Sequence, residues 1–159
     1  MLWGRYSAKI DDKSRLRLPA KFRRDLPETQ DNTYYVTSDD GQCAQIYPIP
    51  IWERVAQKLQ EAPRMDPAKI KLQRFTSYYG LLTQMDPQGR ILIPPSLRED
   101  AQISGDVIVI GKHTDAIDSL SEYFIPGIMA VDARERKKAH LSDCRPIPKR
   151  ELLLFHKMF

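Results

Sequence analysis

The sequence IDDKSRLRLPAKFR occupies residues 10–23, and a related sequence, MDPQGRILIPPSLR, occupies residues 85–98. The two segments are offset by 75 residues and share a DxxxR pair, a proline and a final arginine. The identical pairs are Asp11/Asp86, Arg15/Arg90, Pro19/Pro94 and Arg23/Arg98, and apolar residues match at Ile10/Met85, Leu16/Ile91, Leu18/Ile93 and Phe22/Leu97. Because these positions form a whole framework, the chain is predicted to contain two copies of one supersecondary unit.

Each copy is predicted to run strand, loop, strand and short helix. Residues Arg5–Ile10 and Arg15–Leu18 alternate polar and apolar side chains, which is the period of a half-buried strand, so the basic side chains are expected to line one surface. Pro19 cannot donate to a sheet ladder, so the strand should end there and a helix should follow. The strand Ile91–Ile93 is apolar on both faces and is expected to be more buried.

Two helices are predicted between the copies, at residues 49–62 and from about Pro67 to Tyr78, where Asp66-Pro67 is a helix-start signal. The expected organisation is a first repeat with its following helix (1–62), a linking helix (63–79), a second repeat (80–124) and a basic C-terminal tail (125–159). We expect the tail to be poorly ordered. The alternative is a basic helix over Ala130–Leu141 that docks on a neighbouring subunit or strengthens phosphate binding.

Positive charge is concentrated at two places, although the net charge is only +4. Residues 1–24 hold eight Lys or Arg against two Asp, and residues 134–150 hold seven against two acidic groups. The stretch 25–133 has nine basic and sixteen acidic residues. Such segregation indicates a polyanionic partner, and the alternative is a merely solvated charged face.

The DxxxR residues are predicted to lie in turns, because Pro87 and Gly89 disfavour a helix there. In such a turn the aspartate can accept hydrogen bonds from backbone N–H groups, and the arginine either pairs with the aspartate or projects into solvent. The two arrangements can coexist. Ser14 occupies the position of Gly89, so the first loop is expected to be shaped differently.

The DxxxR repeat, the following (L/I)xP, YPIPIWE at Tyr47–Glu53 and QGRILIPPSLRE at Gln88–Glu99 together resemble the MraZ family over about residues 1–124. MraZ proteins are bacterial transcription regulators encoded with division and cell-wall genes. The resemblance implies a β-rich α+β fold in which two tandem AbrB-like swapped-hairpin repeats form one intrachain pseudo-dimeric barrel, with a helical hairpin between them. It also implies closed rings of chains and DNA contacts through the basic loops.

The leading hypothesis is therefore a transcriptional regulator that binds repeated boxes of double-stranded DNA as a homo-oligomeric ring. The candidate DNA-binding residues are Arg5, Lys9, Lys13, Arg15, Arg17 and Arg90, and the loop-orienting residues are Asp11 and Asp86. The alternative is an antitoxin-like or other protein-interaction module that uses the C-terminal tail.

Other classes find little support in the sequence. Gly105 and Gly111 are separated by five mostly β-branched residues where a phosphate-binding loop needs four, and no convergent catalytic set or zinc set is recognisable. No apolar run is long enough to span a membrane. We therefore expect no enzyme activity, cofactor, metal, small-molecule substrate or membrane partner, and a cytoplasmic, nucleoid-associated protein.

Overall fold

The computed structural model describes residues 4–27, 29–112 and 127–132. The strands in these ranges are β1 (Arg5–Lys9), β2 (Arg15–Arg17), β3 (Thr33–Thr37), β4 (Ala44–Pro48), β5 (Leu81–Gln84), β6 (Arg90–Leu92), β7 (Asp106–Lys112) and β8 (Gly127–Asp132). The α-helices are α1 (Ala20–Asp25), α2 (Ile49–Glu61), α3 (Pro67–Tyr78) and α4 (Pro95–Asp100). The protein is therefore a mixed α+β chain with antiparallel strands.

The two copies have the same order of elements, as the repeat predicts. The first runs β1, β2, α1 and β3, and the second runs β5, β6, α4 and β7. Pro19 and Pro94 immediately precede α1 and α4, so each proline ends a strand and begins a helix. The repeated sequence therefore corresponds to a repeated local structure.

The helical pair α2 and α3 lies between the copies, close to the predicted bounds. The Asp66 carboxylate caps α3 by accepting hydrogen bonds from the backbone N–H groups of Ala68 and Lys69, at 2.7 and 3.3 Å. The Lys69 ammonium donates to the Ala62 carbonyl at 2.6 Å, next to the last turn of α2, where the helix dipole favours a cation. None of the helices in the described ranges combines the length and the hydropathy that crossing a membrane requires.

Strands of one copy pair with strands of the other. β1 is antiparallel to β7, β5 is antiparallel to β3, and β2 is antiparallel to β6. The first strand of each copy thus pairs with the last strand of the other, and the two middle strands pair together. Since each copy supplies strand partners to the other, the two copies form one folding unit.

The closed barrel that the resemblance implied is not observed in the described residues. The strands form an open six-stranded sheet in the order β1-β7-β8-β4-β3-β5 and a separate two-stranded ribbon, β2-β6. β1 and β5 are the two edges of the large sheet, so that sheet does not close on itself. The expectation of a barrel was wrong: β8 joins β7 to β4 in one continuous sheet, and the edge strands β1 and β5 do not pair with each other.

β8 also corrects the prediction for the tail. The sequence predicts a poorly ordered tail from residue 125, with a helix from Ala130 as the alternative, whereas Gly127–Asp132 form a strand. The sequence GIMAVD contains β-branched residues, which favour strands. β8 also pairs with β4 on one side and with β7 on the other, and a helix could pair with neither strand. The remaining tail, residues 133–159, lies outside the described residues.

The apolar positions shared by the two copies make up much of the core. Their fully buried members, each with at most 1% of its surface exposed, are Leu16, Leu18, Phe22, Ile91, Ile93 and Leu97. They form the matched pairs Leu16/Ile91, Leu18/Ile93 and Phe22/Leu97, so the two copies bury corresponding side chains. The core therefore lies where the copies meet and holds the β2-β6 ribbon against the helices that follow it.

Candidate nucleic-acid interface

The first DxxxR loop is built around the carboxylate of Asp11. Its Oδ1 accepts hydrogen bonds from the backbone N–H groups of Lys13 and Arg15, at 3.0 and 2.9 Å. Its Oδ2 accepts a hydrogen bond from Nε of Arg15 at 2.8 Å. Asp11 thus closes the turn and at the same time fixes the guanidinium group of Arg15.

The second loop repeats this arrangement around Asp86. Oδ1 of Asp86 accepts from the backbone N–H groups of Gln88 and Arg90, both at 2.9 Å, and Oδ2 accepts from Nε of Arg90 at 2.6 Å. Both loops therefore contain the internal Asp–Arg bridge that was one of the two arrangements expected. About a third of the Arg15 side chain and a quarter of the Arg90 side chain stay exposed, so each arginine also reaches solvent.

The expectation that Ser14 gives the first loop a different shape was wrong. Ser14 has a φ of +62° and Gly89 has a φ of +76°, so both occupy the left-handed region. The backbone bonds match as well, with N–H of Ser14 donating to Asp11 O at 3.1 Å and N–H of Gly89 donating to Asp86 O at 2.9 Å. Serine adopts the conformation that glycine adopts freely, which leaves backbone strain in the first loop.

The hydrogen bonds to both aspartates make the loops sensitive to acid. Backbone N–H donation from Arg15 is the largest cause that lowers the pKa of Asp11, and donation from Arg90 does the same for Asp86. Since the pKa is lower in the folded chain, the carboxylates stabilise the loops at neutral pH, and this stabilisation is lost as the pH falls below the usual aspartate value of 3.8.

We expect amide exchange in both loops to accelerate as the pH falls below 3.8, relative to the intrinsic exchange rate of the unfolded chain. The measurement is hydrogen exchange of the Arg15 and Arg90 amides along a pH series. The variants Asp11→Asn and Asp86→Asn remove the titrating group and serve as controls, and each should remove the acid dependence in its own loop. Acid dependence that persists in both variants would contradict this assignment.

The β2-β6 ribbon presents basic side chains on one face and buries the other. Arg15 lies opposite Leu92 and Arg17 lies opposite Arg90, while Leu16 and Ile91 form the pair between them. Neighbouring residues of a strand point to opposite faces, and both members of the middle pair are fully buried. The outer face, which we call the arginine face, therefore consists of Arg15, Arg17, Arg90 and Leu92.

The other predicted cations lie in different places. Lys13 is exposed in the first loop, immediately before the arginine face. Arg5 and Lys9 are exposed on β1, the edge strand of the larger sheet, and Lys9 Nζ lies 4.0 Å from a carboxylate oxygen of the equally exposed Asp106. The structure thus brings Arg15, Arg17 and Arg90 together on one ribbon, next to Lys13, and places Arg5 and Lys9 on a separate sheet.

Sequence reasoning missed two arginines that brace the loops. Nη1 of Arg98, on α4, donates to Asp12 O at 3.2 Å and to Ser14 Oγ at 3.0 Å. Arg23, on α1, covers the second loop, since a Cβ built on Gly89 would lie 2.4 Å from Cδ of Arg23. The available signal was the identity of Arg23 and Arg98 in the repeat, but the repeat does not show that each arginine contacts the other copy.

An acidic group in the β3-β4 turn is explained by the turn itself. One side-chain atom each from Asp39, Asp40 and Cys43 lies within 4.8 Å of the others. Oδ1 of Asp40 already accepts the backbone N–H of Gln42 at 2.8 Å and the Ser38 hydroxyl at 3.2 Å. These are the contacts of an aspartate that shapes a turn, so we assign no ligand to it.

The sequence is similar to those of known proteins. A family described as "MraZ protein, putative antitoxin-like" matches residues 1–75 and 82–115. The Transcriptional regulator MraZ of Acidobacterium capsulatum is 47% identical over 114 residues, which cover 72% of this chain and 78% of the relative. Proteins of the same name from Koribacter versatilis and Thioalkalivibrio sulfidiphilus are 45% and 36% identical over 112 residues, or 70% of this chain and 76% and 75% of theirs. The chain belongs to the MraZ family.

Proposed function

We propose that the protein is a transcriptional regulator that binds double-stranded DNA sequence-specifically through the arginine face. The relatives named above carry the name Transcriptional regulator MraZ, which supports the class of function. Arg15 and Arg17 supply base or phosphate contacts, and Arg90 adds to the same face. Lys13, Arg5 and Lys9 contact phosphates, and Asp11 and Asp86 orient the loops.

The observation that carries this proposal is a two-stranded ribbon whose exposed face bears three arginines. The major groove of B-form DNA is wide enough to admit a two-stranded β-ribbon, and several DNA-binding proteins read bases in this way. Arginine is the commonest base-reading residue because its planar fork matches O6 and N7 of guanine. The shape and the side chains of the ribbon therefore fit the same partner.

The Asp11 bridge prepares Arg15 for this role. Nε of Arg15 is held by Asp11, and about a third of the Arg15 side chain stays exposed. A guanidinium that is already oriented loses less conformational freedom when it binds. Arg15 can therefore form the internal bridge to Asp11 and contact DNA at the same time, and the bridge favours the contact with DNA.

The exchange of strands between the copies supports the finer description of the fold as two AbrB-like swapped-hairpin repeats within one chain.

We further propose that chains assemble into a ring. One chain offers few cations, and linking several binding modules raises the overall affinity without a new type of contact. The target would then contain short repeated boxes spaced near one helical turn, in the control region of division and cell-wall genes. On this proposal the protein is cytoplasmic and associates with the nucleoid.

A ring predicts a particle much larger than a dimer. Light scattering of the purified full chain at micromolar concentration measures its mass directly. We expect several chains per particle, with the same mass in the Arg17→Ala variant, because that side chain is exposed on the arginine face. A monomer under these conditions would remove the ring from the proposal and would leave DNA binding to a single arginine face.

Selection of bound fragments from randomised duplex DNA tests the proposed function. We expect the wild-type chain to recover a motif with repeated short boxes, and the Arg17→Ala variant to recover a weaker motif or none. Recovery of no motif by a folded wild-type protein would contradict sequence-specific binding. The same selection supplies the duplex for the experiments described below.

The second candidate function is an antitoxin-like interaction module, which the description of the matched family favours. In that case residues 133–159 would hold a small protein partner. The discriminating variant ends at Asp132, so that it keeps β8. If it loses a partner protein that co-purifies from the native host, and if the full chain selects no DNA motif, the interaction module is the better description.

A further inference from the structure

The two DxxxR loops have nearly the same backbone but are held in different ways. Ser14 and Gly89 both have positive φ, at +62° and +76°, and only glycine adopts this conformation without strain. The Ser14 side chain is buried, and its Oγ lies 3.0 Å from Nη1 of Arg98. The first loop therefore contains a strained residue whose side chain is hydrogen-bonded to the other copy.

Arg98 is well suited to hold that residue. Its Nε donates to Ile103 O at 3.3 Å, and its Nη1 donates to both Asp12 O and Ser14 Oγ. The preceding residue, Leu97, is fully buried and fixes α4 in the core. One guanidinium thus connects a rigid part of the second copy to two residues of the first loop.

The matching arginine of the first copy lacks this bond. Arg23 packs over Gly89, and in the described part of the chain we find no hydrogen bond from Arg23 to the second loop. Glycine offers no side-chain acceptor, and its positive φ needs no compensation. Among the described residues, the second loop thus has an unstrained glycine and no bond from Arg23, whereas the first has a strained serine and a bond from Arg98.

We propose that Arg98 is a positioning residue for DNA recognition: it holds Ser14 in the left-handed conformation and thereby presents Lys13 and Arg15, the residues on either side of Ser14, to the duplex. This inference rests on the proposed function of the arginine face. It makes the first loop the reader and gives the second copy the task of bracing it. The serine at position 14 and the arginine at position 98 then act as one unit across 84 residues of sequence.

The test is a double-mutant comparison. If Arg98 acts through Ser14, then S14G removes the strain and with it most of the need for the arginine. We expect Arg98→Ala to weaken binding to the selected duplex about ten-fold in the Ser14 protein, and less than about three-fold in the S14G background. Arg23→Ala is the matched control, because it removes one arginine of the same charge from the corresponding position. Circular dichroism establishes that each variant is folded.

Hydrogen exchange provides a measurement that needs no DNA. In Arg98→Ala the amides of Lys13 and Arg15 should exchange at least about ten times faster than in the wild type, with most of the increase absent in the S14G background. In Arg23→Ala these amides should keep their wild-type rates. Arg98→Lys keeps the charge but lacks the forked donor, so its exchange rates at Lys13 and Arg15 are expected to lie between those of the wild type and of Arg98→Ala. It replaces the alanine variant in this comparison if that variant does not fold.

Two results would overturn the inference. One is wild-type exchange at Lys13 and Arg15 in Arg98→Ala. The other is that Arg98→Ala lowers the affinity for the duplex, or raises the exchange rates, by the same factor with and without S14G. If the wild-type chain binds no DNA while the exchange results follow the expected pattern, then the proposed function fails and the bracing of the loop by Arg98 stands.

Discussion

Arg15→Ala is expected to weaken binding to the selected duplex by at least about 100-fold, because a bidentate arginine–base contact contributes about 1–3 kcal/mol and several chains of a ring lose it together. The variant also frees Asp11, whose Oδ2 accepts the hydrogen bond from Nε of Arg15. The measurement is a fluorescence-anisotropy titration at one fixed salt concentration, since affinity for DNA varies steeply with salt.

Arg90→Ala is the matched control for that titration. It breaks the equivalent bridge, from Nε of Arg90 to Oδ2 of Asp86, so both variants disturb a loop to a similar degree. The second loop carries Gln88 where the first carries Lys13, and the smaller charge predicts a smaller loss of affinity. Equal losses in the two variants would show that both loops bind equally, and wild-type affinity in Arg15→Ala would show that Arg15 is not the reader.

Phe22→Ala is expected to lower the free energy of unfolding by about 3–5 kcal/mol, the usual cost of removing a buried phenylalanine and leaving a cavity. The Phe22 side chain is fully buried, and its ring meets the ring of Tyr6 edge-on with centroids 5.0 Å apart. Urea unfolding at one protein concentration measures the change, since assembly makes stability depend on concentration.

Leu92→Ala is the control for the core variant. Leu92 lies on the arginine face with 36% of its surface exposed, so its truncation should cost less than about 1 kcal/mol in the unfolding of a single chain. If Phe22→Ala unfolds at the wild-type urea concentration, the shared apolar positions do not form the stabilising core. A large loss of stability in Leu92→Ala would instead indicate that the arginine face is covered by another chain.

The repeat made much of the fold predictable. Two segments with the same apolar positions are expected to bury corresponding side chains, and the matched pair Leu16 and Ile91 is fully buried. Local signals were also sufficient where the chemistry is local: Pro19 ends a strand, and Asp66 caps a helix through its own neighbours. Bounds of helices could therefore be predicted to within one or two residues.

Long-range pairing was beyond the reach of these signals. Nothing in the sequence of β8 specifies that it pairs with β4 and β7, because a short apolar segment after Pro126-Gly127 fits a strand or the start of a helix. That pairing joins β1 and β7 to β4, β3 and β5 in one six-stranded sheet. The exchange of strands between copies is likewise a property of the whole chain, since either copy alone has the same alternation of polar and apolar residues.

The candidate site was predictable in composition but not in geometry. The DxxxR spacing is compatible with an arginine that pairs with its aspartate and with one that projects outward, and Arg15 does both because only its Nε is used by Asp11. The bond from Arg98 to Ser14 joins residues 84 positions apart, and no local pattern marks it. Likewise, the pairing of Arg17 with Arg90 becomes visible only when β2 and β6 are in register.

Photo-crosslinking to the selected duplex tests most directly whether the arginine face and its first loop contact DNA. A photoreactive amino acid replaces Lys13, Gln88 or Lys71, one at a time, and all three positions are exposed in the described structure. Lys13 and Gln88 occupy matching places in the two loops, and Lys71 lies on α3. We predict an efficient crosslink from position 13, a weaker one from position 88 and none above background from position 71. A crosslink from position 71 together with none from position 13 would contradict DNA binding by the arginine face.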